Sequence, residues 1–132
     1  MAAQSIEAFE QALLVSEEVL NTEYSFDKAE PSYLRCLEII DAAPHLRPQI
    51  VALLIELFRE KKISDEPVAF LMHRLRWPEI REWAEAQLVG MRNPMANGRA
   101  LEKVLMAYSD GWENKEFYEL FRLNAGLGGL RK

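Results

Sequence analysis

Apolar residues recur along this chain at helical spacing, and no stretch alternates apolar and polar positions over the length of a strand. Ile6, Phe9, Leu13 and Leu20 mark the inner face of a first helix over residues 5–21, with Ser5 placed to cap it. The polar linker "TEYSFDKAEP" follows, and its two aromatics, Tyr24 and Phe26, are expected to tuck against the flanking helices. Pro31 suits the first turn of a second helix, whose stripe is Tyr33, Leu34, Leu37 and Ile40. "PHLRP" interrupts it. Pro48 then opens a segment apolar nearly all round, from Ile50 through Leu54 to Phe58, with only Glu56 on its far side. A helix of that kind must be covered on more than one side, so the pattern places it at the centre of the core.

"REKKIS" supplies bases suited to a helix C-terminus. Ser64 or Asp65 caps the next helix, with Val68, Leu71, Met72 and Leu75 on its face. Arg76 and Trp77 form a tight turn, and Pro78 starts a helix carrying Ile80, Trp83, Ala84 and Leu88, which Gly90 can end in the left-handed conformation. Beyond the loop "MRNPMANG", Leu101, Val104, Leu105 and Tyr108 mark a further helix, and Phe117, Tyr118, Leu120 and Phe121 a last one over 113–123. The pattern predicts an all-α chain of about seven helices, an N-terminal helix followed by three antiparallel hairpins, in one domain over residues 1–125. Residues 126–132, glycine-rich, are expected to form a flexible tail.

"PEIREWAEAQL" at 78–88 repeats the layout of "PQIVALLIELF" at 48–58: Pro with Pro, Ile80 with Ile50, Ala84 with Leu54 and Leu88 with Phe58. A period of this size, one hairpin per unit, is what α-solenoids show. The stretch "FLMHRLRWPEIREWAEAQLVGM" resembles a HEAT repeat, with Pro78, Ile80, Arg81, Ala84 and Leu88 at the matching positions. The resemblance covers about half the chain and implies stacked hairpins with a ridged docking surface; the alternative arrangement of the same helices is an irregular bundle. Two departures stand out. Val51 replaces the usual arginine in the earlier unit, and Trp77 occupies the turn where the family often places aspartate.

Charge changes this picture only locally. The net charge is −5. Residues 1–30 hold seven acids against one lysine, while residues 64–132 balance ten against ten. The acidic first segment would repel phosphates and could attract a basic partner. With no basic excess, nucleic acid is not an expected partner. No apolar run approaches the length of a membrane span, and a soluble, cytoplasmic protein is expected.

The candidate chemistry is sparse. His45, His73 and Cys36 lack metal-ligand spacing, and no metal or other cofactor is expected. Cys36 lies beside an apolar stripe and reads as a buried structural thiol. Glu79, Glu82 and Glu85 read as a solvated helix face able to pair with nearby arginines. Tryptophan flanked by arginine is the composition of an interface hot spot. Arg76, Trp77, Arg81 and Arg92 are therefore the expected contacts to another protein, with no catalytic residues.

The expected function is a small non-catalytic interaction protein of adaptor or inhibitor type, not an enzyme, which could also form homo-oligomers. One alternative is an acidic immunity-type protein neutralising a basic toxin through Glu10, Glu17 and Glu18. Another is a pocket protein, enzyme or small-molecule binder, with a cleft between hairpins near His73 and Arg74. Exposed Trp77 and Trp112 would favour docking.

Overall fold

The computed structural model describes residues 2–23, 25–91 and 98–122, and among them the chain is all-α, with no strand. Among the described residues six α-helices carry it: α1 (Ala2–Glu23), α2 (Glu30–Ala42), α3 (Arg47–Arg59), α4 (Asp65–Leu75), α5 (Pro78–Gly90) and α6 (Arg99–Met106). Short 3₁₀ turns occupy Phe26–Ala29, Pro44–Leu46 and Glu113–Phe117. Pro31, Pro48 and Pro78 each fall in the first turn of a helix, where a missing N–H leaves no bond unmade. Tyr24, Arg92 with its loop, and the tail at 126–132 lie outside the described residues.

α1 packs along α2, and α6 packs against both α4 and α5, binding the corner between them. The core runs without a break from Phe9 and Leu13 through Tyr33 and Cys36 to Ile50, Phe70, Trp112 and Tyr118. Its centre is α4 rather than α3. Every residue from Glu66 to Met72 is buried, because α1, α2, α3 and α6 all close on that helix. α3 buries one stripe, Ile50, Leu54 and Leu57, while Val51, Leu53, Ile55 and Phe58 lie half-buried at its sides.

Two helix ends are set by residues other than glycine in the left-handed region. Lys61 (φ 62°) ends α3 in a Schellman arrangement: Lys62 N–H donates to Leu57 O at 2.9 Å and Lys61 N–H to Phe58 O at 3.0 Å. Arg76 (φ 56°) ends α4, its N–H donating to Met72 O at 2.8 Å. Gly90, by contrast, does not take a positive φ, and α5 ends at an extended Met91. The last expected helix is also broken. Glu113–Phe117 is a 3₁₀ turn, Tyr118 is extended (φ −117°, ψ 132°), and a fresh helical turn occupies 119–122.

A β-carbon in the left-handed region is strained, and among the described residues the Lys61 side chain makes no hydrogen bond or ion pair that offsets it. Lys61→Gly is therefore expected to raise stability by about 1 kcal/mol. Arg76→Gly is expected to lower it by about 1–3 kcal/mol, because the guanidinium described below is lost with the strain. Urea unfolding midpoints at constant slope check both.

Candidate functional site

The arginine–tryptophan corner is assembled as a unit, but its partners are internal. Arg76 Nε donates to His73 O at 2.9 Å, Nη1 to Tyr108 O at 2.7 Å and Nη2 to Asp110 Oδ1 at 3.1 Å. Trp77 is 6 % exposed. Arg47, from the start of α3, lies over its ring at 4.8 Å and grips Glu79 in a two-pronged pair of 2.8 and 2.6 Å. Tyr108 donates its hydroxyl to Trp77 O at 2.7 Å, and Arg81 lies over the Tyr108 ring at 5.9 Å.

This differs from the expectation of an exposed docking tryptophan. The corner is extended at Trp77, so its indole turns inward, and Arg47 and Tyr108 roof it. Trp112 is likewise buried, at 5 %. Glu79 does find an arginine, but it is Arg47, 32 residues away, rather than a neighbour on its own helix. The hydrogen bond to Arg47 holds the Glu79 carboxyl below its usual range.

His73 donates from Nδ1 to Ala107 O at 2.7 Å and packs against Trp112 and Phe121, with ring centroids at 5.0 and 4.7 Å. Burial holds it below the usual imidazole range, with the bond to Ala107 opposing. Cys36 is buried, and desolvation pushes its thiol up to about 12, far from thiolate chemistry at neutral pH. Among the described residues no three His, Cys, Asp or Glu side chains converge as metal ligands.

Two carboxylates escaped the sequence reading. Glu66 (4 % exposed), on α4, accepts from Asn114 Nδ2 at 2.9 Å and from the Tyr118 hydroxyl. Glu30 (7 %), on α2, accepts the backbone N–H groups of Glu119 and Leu120, both at 2.9 Å. They tie the segment after α6 to the helical body across distances in sequence that no local pattern signals. Desolvation raises the Glu66 carboxyl above its usual range, with the bonds from Tyr118 and Asn114 opposing. The Tyr33 hydroxyl nearby is buried and has no hydrogen-bond partner among the described residues.

Two clefts flank this core. One, of about 590 Å³, is lined by Phe26, Met106 and Trp112 together with Asp65, Glu66, Glu102 and Glu113, and by the cations Arg99 and Lys103. The other, of about 470 Å³, lies between Phe58, Ile63, Trp83 and Leu101. Phe26 did not tuck in as expected: it is 38 % exposed and leans on Phe117, itself 47 % exposed, at 5.2 Å between centroids. Comparison with known proteins gives no family model, no curated protein and no solved structure that matches the chain.

Tyr118→Phe is expected to cost about 1–3 kcal/mol, because it strips a donor from a buried carboxylate, whereas Tyr33→Phe should change stability by less than about 1 kcal/mol. For Glu66 the folded carboxyl holds its proton more tightly than the unfolded one. Its contribution is therefore complete below the ordinary value of 4.5 and falls as pH rises through the raised folded value. Glu66→Gln should flatten that part of the stability–pH curve, measured by denaturant unfolding across the acidic range.

Proposed function

We propose that the chain is a non-catalytic binding protein that holds a basic segment of another protein at the end of the molecule where Phe26, Met106 and Phe117 meet. The observation that carries this reading is an exposed apolar rim over an acidic cleft. Met106 is 54 % exposed and lines the cleft with Phe26, whose ring pairs with that of Phe117, and apolar exposure of this kind marks interaction surfaces. Beneath it, four acids face two cations. Asp65, Glu102 and Glu113 make no ion pair among the described residues, so a partner's lysines or arginines would meet charges not already satisfied.

The resemblance to HEAT repeats implies the same kind of function, because arrays of that family bind through ridged outer surfaces. Pro48 and Pro78 both fall in the first turn of a helix. The acidic α1 adds a field that would draw a basic partner in and weaken with salt. The corner at Arg76 and Trp77 then serves as scaffold and leaves recognition to the opposite chemistry, apolar rim and carboxylates.

A photo-crosslinking residue at Met106 is expected to capture a partner whose contact peptide is rich in lysine or arginine, with yield falling as salt rises and abolished by Phe26→Ser. The same group placed at Val89, 87 % exposed on α5, is the control. Equal capture from both positions, or a contact peptide without basic residues, would end this reading.

A further inference from the structure

The second cleft carries chemistry of its own, sharing only Asp65 with the docking cleft. Its walls come from three helices and a turn: Phe58 at the end of α3, Ile63 before α4, Trp83 on α5 and Leu101 on α6. Phe58 and Trp83 meet edge to face at 5.9 Å, which holds the half-buried indole as one wall. Its volume, about 470 Å³, falls in the range of roughly 300–1,000 Å³ that suits a small organic molecule.

Charge inside the cleft is arranged by depth. Glu17 and Asp65 are half-buried, while Arg59 and Lys61 stand exposed at the mouth. Interactions of the deeper pair are less screened than those of the outer pair. Glu17 already accepts from Ser64 Oγ at 3.1 Å, which fixes one carboxylate beside the start of α4. Asp65 makes no ion pair among the described residues. Burial, only partly offset by the charge of Lys103, leaves its carboxyl above the usual aspartate range. An apolar wall with an aromatic face and a half-desolvated carboxylate in no contact ion pair among the described residues complements one kind of ligand.

We infer that this cleft binds a small molecule with an apolar, ring-sized body and an ammonium group, the body against Trp83 and Phe58 and the ammonium on Asp65 and Glu17. An ammonium there offsets the desolvation of the Asp65 carboxylate and uses the aromatic face as well. A carboxylate on the same body meets Glu17 and Asp65 as like charges.

The test is a titration of the isotope-labelled full chain with three probes sharing one ring: phenethylamine, phenylalanine and phenylpropionate. The signal is the indole N–H of Trp83 by NMR, assigned with Trp83→Phe. Saturable shifts with either ammonium probe, and none with phenylpropionate, support the inference. A response to phenethylamine alone marks an amine site, and one to phenylalanine marks a zwitterion site using the cations at the mouth. Asp65→Asn should weaken the responding probe about tenfold. Should that variant fail to fold, Glu17→Gln is expected to weaken it in the same direction. Equal binding of phenylpropionate, silence from all three probes, or wild-type affinity in both folded variants would overturn it. Because Asp65 also lines the cleft at Phe26 and Met106, the Trp83 signal and Glu17→Gln, neither of which lies in that cleft, keep the two readings distinguishable.

Discussion

Two buried carboxylates hold the far end of this chain in place. Glu66 and Glu30 sit on different helices, and both reach the segment that follows α6. A carboxylate taken out of water is costly unless its oxygens are met by donors. Here each is met twice, by a hydroxyl and an amide at Glu66 and by two backbone N–H groups at Glu30. The latter are donors at the start of a helical turn, which otherwise have no partner. This arrangement accounts for the break at Tyr118. A continuous helix through 113–122 would bury those N–H groups in its own ladder and leave Glu30 unmatched. With Tyr118 extended, Trp112, Tyr118 and Phe121 close over Phe70 and His73.

Helical periodicity was enough to place all six α-helices among the described residues to within a few positions, because apolar stripes and leading prolines are local signals. The centre of the core was not local. α3 has more aliphatic residues than α4, yet α4 is the helix covered on every side. Small Pro67 and Ala69 let neighbours approach, and the one acidic residue in its buried run, Glu66, finds its donors in a segment about fifty positions on. A glutamate at that place reads as solvent-facing until the donors are known. The helix ends followed the same logic. Gly90 offered the cheap left-handed stop, but Lys61 and Arg76 took that conformation, and at Arg76 three guanidinium bonds offset the strain.

The clefts were less legible still. Phe26, Met106 and Phe117 belong to three separate segments, each with an ordinary reading in its own context, and only the fold sets them side by side. Glu17, Asp65 and Trp83 are likewise drawn together from α1, α4 and α5. The acidic character of the N-terminal segment was visible in composition. The unpaired acids of the α4–α6 region were not, because residues 64–132 balance when counted and show their asymmetry only when paired off in space.

The corner shows why composition points to an interface without saying which one. A tryptophan beside arginines is favoured wherever an aromatic ring must be desolvated and a guanidinium can lie against it or fork a carboxylate. Those conditions are met by a partner protein, and equally by a distant part of the same chain. Here the groups that complete the corner, Arg47, Tyr108 and Asp110, lie about thirty residues away on either side. The corner is an interface in every physical sense, with aromatic, cation and carboxylate at close range, but one already occupied from within. Elsewhere the fold leaves apolar surface and charge without such partners, at the two clefts beside α4.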